Sequence, residues 1–200
     1  LAGPDGMADR WPIAGMAVLA PLAQEIARGK PAAKRDKTLE ARLIGISDQI
    51  MELGRAALRA TLARALDSHD PFRERLVWFW ADHFTVVSGG RDDAARAYAL
   101  VEDAIRPNLT RPFAEMLTAV TFHPAMLAYL DQTRSVGPNS REGQRKGLGL
   151  NENLARELLE LHTLGVGGAY GQDDVRQLAE LLTGLTYTPR RGGFEFDSRR

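Results

Sequence analysis

The chain has 200 residues, and its 26 basic side chains balance 26 acidic ones to a formal net charge of 0. Apolar residues make up 44% of the sequence, which is ordinary for a globular domain and argues against a disordered chain, a collagen or a pure coiled coil. Because the charges balance, no overall field attracts nucleic acid, and we expect no nucleic-acid partner. Cysteine is absent, which excludes disulfides, thiolate catalysis and cysteine-ligated metal centres.

Residues 1–15 are rich in Gly, Pro and Asp and predict an irregular entry segment. The apolar stretch from Ala14 to Ala23 contains Pro21 and is much shorter than the roughly 20 residues that span a bilayer, so we expect no membrane span. The chain begins at Leu1 rather than Met, which leaves a targeting signal upstream of it open. We treat residues 1–200 as one helical domain or as the N-terminal part of a larger one.

Two long helices are predicted in the first half of the chain. Over residues 36–66, leucines and isoleucines recur at intervals of three and four, which is the pattern of an amphipathic helix. Asp70 followed by Pro71 is typical of a helix start. This second helix is predicted to run to about Val87 and to stop at Ser88-Gly89-Gly90.

The rest of the chain predicts five shorter helices, a hairpin and one long loop. The helices are predicted at about 92–106, 110–121, 124–131, 151–164 and 172–183. Residues 132–150 form the loop, which is polar and basic, and loops of this length are usually functional or disordered. Weak alternation over 185–197 predicts the hairpin. The sequence therefore predicts an all-α, multi-helix globular bundle with a small β-hairpin near its C-terminal end.

His83 is the first residue with a candidate chemical role. On a wheel of about 100° per residue it falls with Phe72, Phe79 and Phe84, so we expect its imidazole to be buried. Trp78 falls on the opposite side of the helix. A buried imidazole needs hydrogen-bond partners. We favour a core histidine satisfied by a backbone carbonyl, and the alternative is a metal ligand or an acid–base group.

The predicted helix at 151–164 carries a second unusual residue. Glu157 falls on its apolar side, where a carboxylate is costly to bury unless it is paired, hydrogen-bonded or metal-bound. We slightly favour a structural ion pair over a functional carboxylate. His162 lies about 140° from Glu157 on the wheel, so the two cannot chelate one ion from a regular helix. Arg156 has the i,i+4 spacing of surface ion pairs with the glutamates on either side of it.

Four segments in the same order resemble one bacterial family. They run from Arg75 to Phe84, from His123 to Asp131, from Leu150 to Gly165 and from Tyr170 to Thr186, and they are similar to the family catalogued as domain of unknown function 1800. The resemblance implies the N-terminal portion of a larger protein, exported in many members, and hence a periplasmic or secreted location. It implies no particular activity. Its characteristic residues are Trp78, Trp80, His83, Asn151, Asn153, Arg156, Glu157 and Thr163.

Two functions follow from these residues. The first is a helical structural or interaction module that contacts the remainder of the full-length chain and contains a buried polar network. The candidates for that network are His83, Asn151, Asn153 and Glu157. The second is a metal-assisted or acid–base enzyme with its site between the helices at 70–87 and 151–164.

The enzyme alternative assigns roles to the same residues. The four network candidates become candidate catalytic groups, and His83 and Glu157 become candidate ligands of a divalent metal, a cofactor that the sequence permits but does not require. The basic loop at 132–150 would then close over the site as a lid. The residues predicted to contribute to binding are Trp78, Trp80, Arg156 and His162.

Overall fold

The structure is a computed structural model that describes residues 1, 3–87, 90 and 93–200, apart from the side chain of Asp93. Within these ranges the chain forms ten α-helices, and none of them is both long and apolar enough to cross a membrane. The α-helices are α1 (Gly6–Arg10), α2 (Met16–Ala33), α3 (Lys37–Leu66), α4 (Pro71–His83), α5 (Asp93–Leu100), α6 (Phe113–Thr121), α7 (Pro124–Tyr129), α8 (Arg141–Lys146), α9 (Asn153–Glu157) and α10 (Gln172–Leu182). Strands β1 (Leu185–Thr188) and β2 (Gly193–Phe196) pair as an antiparallel hairpin. The predicted all-α class with a small terminal hairpin is confirmed.

The N-terminal region contains more helix than its composition predicted. Within the entry segment, the carboxylate of Asp5 accepts the backbone N–H of Ala8 at 3.1 Å and caps α1. α2 was not predicted, because Pro21 and Pro31 lie inside it. It packs along α3, and this tertiary contact outweighs the low helix propensity of the two prolines.

α3 begins at Lys37, next to its predicted start at residue 36, and Asp36 caps it. The carboxylate of Asp36 accepts the backbone N–H groups of Thr38 and Leu39 at 2.9 and 3.1 Å. In the first half of the helix, Leu43 and Ile50 point into the core as predicted. The periodic leucines and isoleucines were therefore sufficient to place this element.

In the second half of α3, the buried face differs from the predicted one. Leu58 and Leu62 are 48% and 47% exposed, and Leu66 is 88% exposed, although their spacing predicted burial. Small residues take most of the buried positions because α5 packs closely against this half of the helix. A Cβ atom added at Gly54 would lie only 3.2 Å from the backbone nitrogen of Ala95. The buried residues in this half are Gly54, Ala57, Ala60 and Arg64.

α4 begins after Asp70 as predicted but ends at His83, four residues before the predicted end. The hydroxyl of Thr85 donates to backbone carbonyls of the last turn, which replaces the hydrogen bonds that a longer helix would make. The predicted stop at Ser88-Gly89-Gly90 lies partly outside the described residues, which include neither Ser88 nor Gly89.

The buried face of α4 is rotated from the predicted one. Phe72 and Phe79, which the wheel placed on the apolar side, are 60% and 57% exposed. The buried positions of α4 are Arg73, Glu74 and Val77. Charged side chains are costly to bury alone, but those of Arg73 and Glu74 find oppositely charged groups and carbonyls in the interior.

Two helices continue into wider π-helical turns. α5 is followed by a π turn at Val101–Ile105 and a 3-10 turn at Arg106–Asn108, and α9 is followed by a π turn at Leu158–Thr163. Sequence analysis predicted regular helices at both places, because the hydrophobic spacing there does not distinguish the two helix types. π turns are rare and occur often at functional sites.

The main hydrophobic core lies between α5 with its π turn, α6, α7, α9, α10 and β1. Its most deeply buried members are Phe84, Leu100, Ile105, Val120, Met126, Leu127 and Leu154. A smaller cluster joins α2, α3 and α5 through Leu19, Ile50, Ala95 and Ala99.

The segment at 132–150, predicted as a loop, contains a 3-10 turn at Gln132–Arg134 and the helix α8. The Ser140 hydroxyl accepts the backbone N–H of Gly143 at 3.0 Å at the start of α8, and Gly147, with a φ of +63°, ends it. Periodicity did not reveal α8 because it is short and carries no apolar face.

Candidate functional site

His83 lies at the end of α4 and is half-buried, rather than fully buried as predicted. Its Nε2–H donates to the backbone carbonyl of His162 at 3.3 Å, which leaves Nδ1 as the acceptor in the neutral ring. The centroids of the Phe84 and His162 rings lie 4.6 and 6.0 Å from that of His83. A backbone carbonyl is the partner that the structural interpretation of His83 predicted.

His162 lies on the π turn that follows α9 and is only 5% exposed. Within the described residues, no side chain or backbone group hydrogen-bonds to its ring. In this turn the N–H of Leu164 donates to the carbonyl of Leu159, five residues earlier, at 2.9 Å. The 140° separation of Glu157 and His162 was predicted for a regular helix, and the π turn from Leu158 to Thr163 departs from that geometry. That the two residues cannot chelate one ion stays a prediction.

The buried ring of His162 predicts a pH dependence of stability. Burial, and then the charge of His83, lower the pKa of His162 from 6.5 to about 4. Between these values the unfolded chain binds a proton that the folded protein does not, so the free energy of unfolding falls as the pH drops from 6.5 towards 4. We expect this residue to account for a loss of about 3 kcal/mol over that range.

Urea denaturation of the wild type and of His162→Gln at pH 7 and pH 4.5 measures this contribution. The variant lacks the titrating ring, so its loss of stability between the two pH values should be smaller than that of the wild type. An equal loss in both proteins would assign the acid sensitivity to other groups.

The four residues predicted to form a buried polar network do not join into one within the described chain. The side-chain N–H of Asn151 donates to the Asp131 carbonyl at 3.1 Å, and its Oδ1 accepts the backbone N–H of Asn153 at 2.9 Å. Asn153 is exposed, and Glu157 is half-buried and has no hydrogen bond or ion pair with any residue that the structure describes. Asn151 instead forms a local turn before α9, a role that asparagine commonly has.

The residues predicted to contribute to binding lie in different places. Arg156 is 3.2 and 3.1 Å from Glu152 and Glu160, which confirms the predicted surface ion pairs. Trp80 is half-buried and packs against Phe84. Trp78 is 49% exposed on another side of α4, where it lines a cleft described below.

The structure does not bring His83 and Glu157 into a hydrogen bond. Across the described ranges, no three His, Asp or Glu side chains are grouped closely enough to hold a metal ion. The metal-binding and catalytic roles assigned to these two residues from the sequence therefore stay predictions.

A buried network of charges lies at another place, around Arg106 in the 3-10 turn after α5. Arg106 is 8% exposed. It donates to both carboxylate oxygens of Glu74 at 2.9 and 2.8 Å and to Asp5 at 2.9 Å. Burial alone would lower the pKa of Arg106, but the hydrogen bonds that it donates to Glu74 and Asp5 outweigh burial and raise the pKa. This guanidinium stays charged and connects α1, α4 and the end of the α5 segment.

Arg64 extends the network into α3. Its side chain is 2% exposed and donates to the two oxygens of Glu102 at 2.6 and 3.1 Å. It also donates twice to the backbone carbonyl of Trp11, at 3.0 and 2.6 Å. Glu102 lies on the π turn, where its Oε1 is 3.4 Å from Arg106 Nε. We call the side chains of Asp5, Arg64, Glu74, Glu102 and Arg106 the ionic network.

Above the ionic network lies a cleft between α3, α4 and α5, with a volume of about 320 Å³. All members of the network except Asp5 line its floor. The half-exposed side chains of Leu58, Leu62 and Trp78 line its walls. We call this feature the α3–α4 cleft. Its volume is at the lower end of the range of roughly 300–1,000 Å³ that is typical of ligand sites.

Sequence analysis missed both the ionic network and the cleft. Nothing in the pattern around Glu74 predicts its burial, because a charged residue in a helical pattern is normally exposed. One usable signal was the position of Arg64, which follows Ala57 and Ala60 at the spacing of a buried face. A second was Trp78, a large apolar residue on the polar side of α4.

Comparison with family models places the chain within one family. The model described as protein of unknown function (DUF1800) matches residues 13–200. Comparisons with curated proteins and with solved structures give no match. The matched range contains the α3–α4 cleft, the pair formed by His83 and His162, and all four segments that carry the resemblance in the sequence. Because the match covers most of the chain, this protein belongs to the DUF1800 family.

Proposed function

We propose that this domain is a protein-interaction module that binds a partner protein at the α3–α4 cleft. The observation that carries the proposal is the exposure of Leu58, Leu62 and Trp78 around one cleft. Apolar side chains grouped on a surface are typical of interaction sites. Tryptophan is also enriched among the residues that contribute most to protein binding.

The ionic network supports this proposal because it holds the walls of the cleft in place. Arg64 on α3 and Glu74 on α4 are joined through Glu102 and Arg106, so the two wall helices share one set of buried contacts. A cleft that is already formed loses less conformational entropy when a partner binds. The periplasmic or secreted location implied by the family resemblance is part of the proposal and stays a prediction.

Site-specific photo-crosslinking tests the proposal. The photoreactive amino acid p-benzoylphenylalanine would replace Leu62 in cells that naturally produce the protein. We expect irradiation to give one discrete adduct, whose partner peptide is then mapped by mass spectrometry to a single surface segment. The matched control carries the same group at Leu181, which is 76% exposed on α10 and outside the cleft, and should give no such adduct.

Two further results decide the outcome. Trp78→Ala in the Leu62 cross-linking protein should remove the adduct while the circular dichroism spectrum stays unchanged, because Trp78 is half-exposed and its loss opens no core cavity. The absence of an adduct at position 62, or equal labelling at 62 and 181, would contradict the proposal.

A further inference from the structure

The polar groups of the α3–α4 cleft differ in whether they already have partners. The guanidinium groups of Arg64 and Arg106 are bound by Glu102, Glu74 and the other acceptors of the ionic network. By contrast, the carboxylate of Asp82 and the hydroxyl of Tyr98, both in the lining, have no hydrogen bond or ion pair within the described residues.

The unpartnered groups indicate the charge of the missing partner. Asp82 can only accept hydrogen bonds when ionised, and the oxygen of Tyr98 can accept one as well. The lining contains two arginines and three carboxylates, and therefore has a net charge of 2 − 3 = −1. Both arginines are engaged, so an anionic group would find no free cation here, whereas a cation would find an open carboxylate.

The walls indicate the shape of the group that carries the cation. Leu58, Leu62 and Trp78 present apolar surface in the same lining as Asp82, which is itself exposed. A group that fits has an apolar stem and a positively charged end, as the lysine side chain does. An ammonium is a compact charge with three rotatable donors, which suits acceptors that come from two different helices better than the planar fork of arginine.

We infer that the α3–α4 cleft receives a lysine side chain of the partner protein, with its methylene stem along Leu58, Leu62 and Trp78 and its ammonium at Asp82 and Tyr98. This inference rests on the proposed function and adds to it the chemistry by which the partner is recognised. The ring of Trp78 strengthens the site further, because an aromatic face attracts a nearby cation.

Binding of n-butylammonium, which has the chemistry of a lysine side chain, tests the inference on the purified protein. The readout is the indole N–H signal of Trp78 in a ¹H–¹⁵N spectrum, titrated with n-butylammonium, n-butanol and n-butyrate. We expect n-butylammonium to bind about fivefold more tightly than n-butanol, because a single solvent-accessible ion pair increases affinity by about that factor. We expect n-butyrate to bind more weakly than both.

Two variants separate the role of Asp82 from a general charge effect. Asp82→Asn keeps the shape of the side chain, and it should reduce the affinity for n-butylammonium to that for n-butanol. Asp173→Asn removes an exposed carboxylate on α10, outside the cleft, and should leave both affinities unchanged. Equal binding of n-butylammonium and n-butanol by the wild type would overturn the inference.

A carbodiimide then identifies the source of the ammonium in the complex. This reagent condenses a carboxylate and an amine to an amide with loss of water, and it should join Asp82 to one partner lysine in the wild type but not in Asp82→Asn. If photo-crosslinking at Leu62 gives no adduct, the proposed function is contradicted. Preferential binding of n-butylammonium would in that case indicate that the cleft binds a free amine rather than a partner lysine. If photo-crosslinking succeeds but n-butylammonium shows no preference, only the lysine inference is overturned.

Discussion

Arg106→Met is expected to lower the free energy of unfolding by about 3–5 kcal/mol, which is typical when one member of a buried ion pair is removed and the other stays charged. Methionine fills most of the volume of the stem, but it leaves the carboxylates of Glu74 and Asp5 without their cation. Their side chains are only 5% and 20% exposed, so water cannot replace the lost hydrogen bonds well. Urea denaturation followed by circular dichroism measures the change.

The matched control is Arg111→Met, because Arg111 forms an ion pair with Glu115 in which the two side chains are 60% and 50% exposed. This change should cost less than about 1 kcal/mol. The double variant Arg106→Met with Glu74→Leu should recover most of the lost stability, since both members of the buried pair are then apolar. A cost for Arg106→Met as small as that of the control would show that the ionic network contributes little.

Phe84→Ala is expected to destabilise the protein by about 3–5 kcal/mol, because a large ring is removed from a site that cannot collapse. Phe84 is 0% exposed, and its ring contacts those of Trp80, His83, Phe113 and His162 at centroid distances of 4.6–6.2 Å. The cavity would open at the junction of α4, α6 and the π turn that follows α9. Thermal and urea denaturation both measure the effect.

Phe79→Ala is the natural comparison, since Phe79 lies just over one helical turn earlier and is 57% exposed. We expect this variant to cost no more than about 1 kcal/mol, as most substitutions of exposed residues do. The helical wheel placed both phenylalanines on the buried side of α4. Similar losses of stability in the two variants would therefore support the buried face predicted by the wheel and contradict the one in the structure.

The elements of this fold could largely be predicted because their signals are local. Asp36 and Asp70 cap the helices that follow them; the first helix was predicted from its periodic apolar residues and the second from Asp70 and Pro71. Gly184, with a φ of +101°, lies between α10 and β1, close to the predicted helix end. Capping and turn preferences act within a few residues, so they can be identified in the sequence without knowledge of tertiary contacts.

The buried faces and the site could not be predicted in the same way. Arg106 is separated from Glu74 by 32 residues and from Asp5 by 101, and no short pattern links these positions. A charged residue on a helix is normally exposed, so a helical wheel that assigns the buried face by polarity selects the wrong face of α4. The π turns changed the geometry near Glu157 and His162 for a similar reason, since nothing in the local spacing marks them.

Residues 1, 3, 5 and 11 provide hydrogen-bond acceptors for the structure that follows them. Three arginines on later elements find acceptors there: Arg106 at Asp5, Arg64 at the carbonyl of Trp11, and Arg73 at the carbonyls of Leu1 and Gly3. The range matched by the DUF1800 model begins at residue 13, after all of these acceptors. A protein cut to the matched range would therefore contain the three arginines without these acceptors, so the range defined by family similarity leaves out part of the hydrogen bonding on which their burial depends.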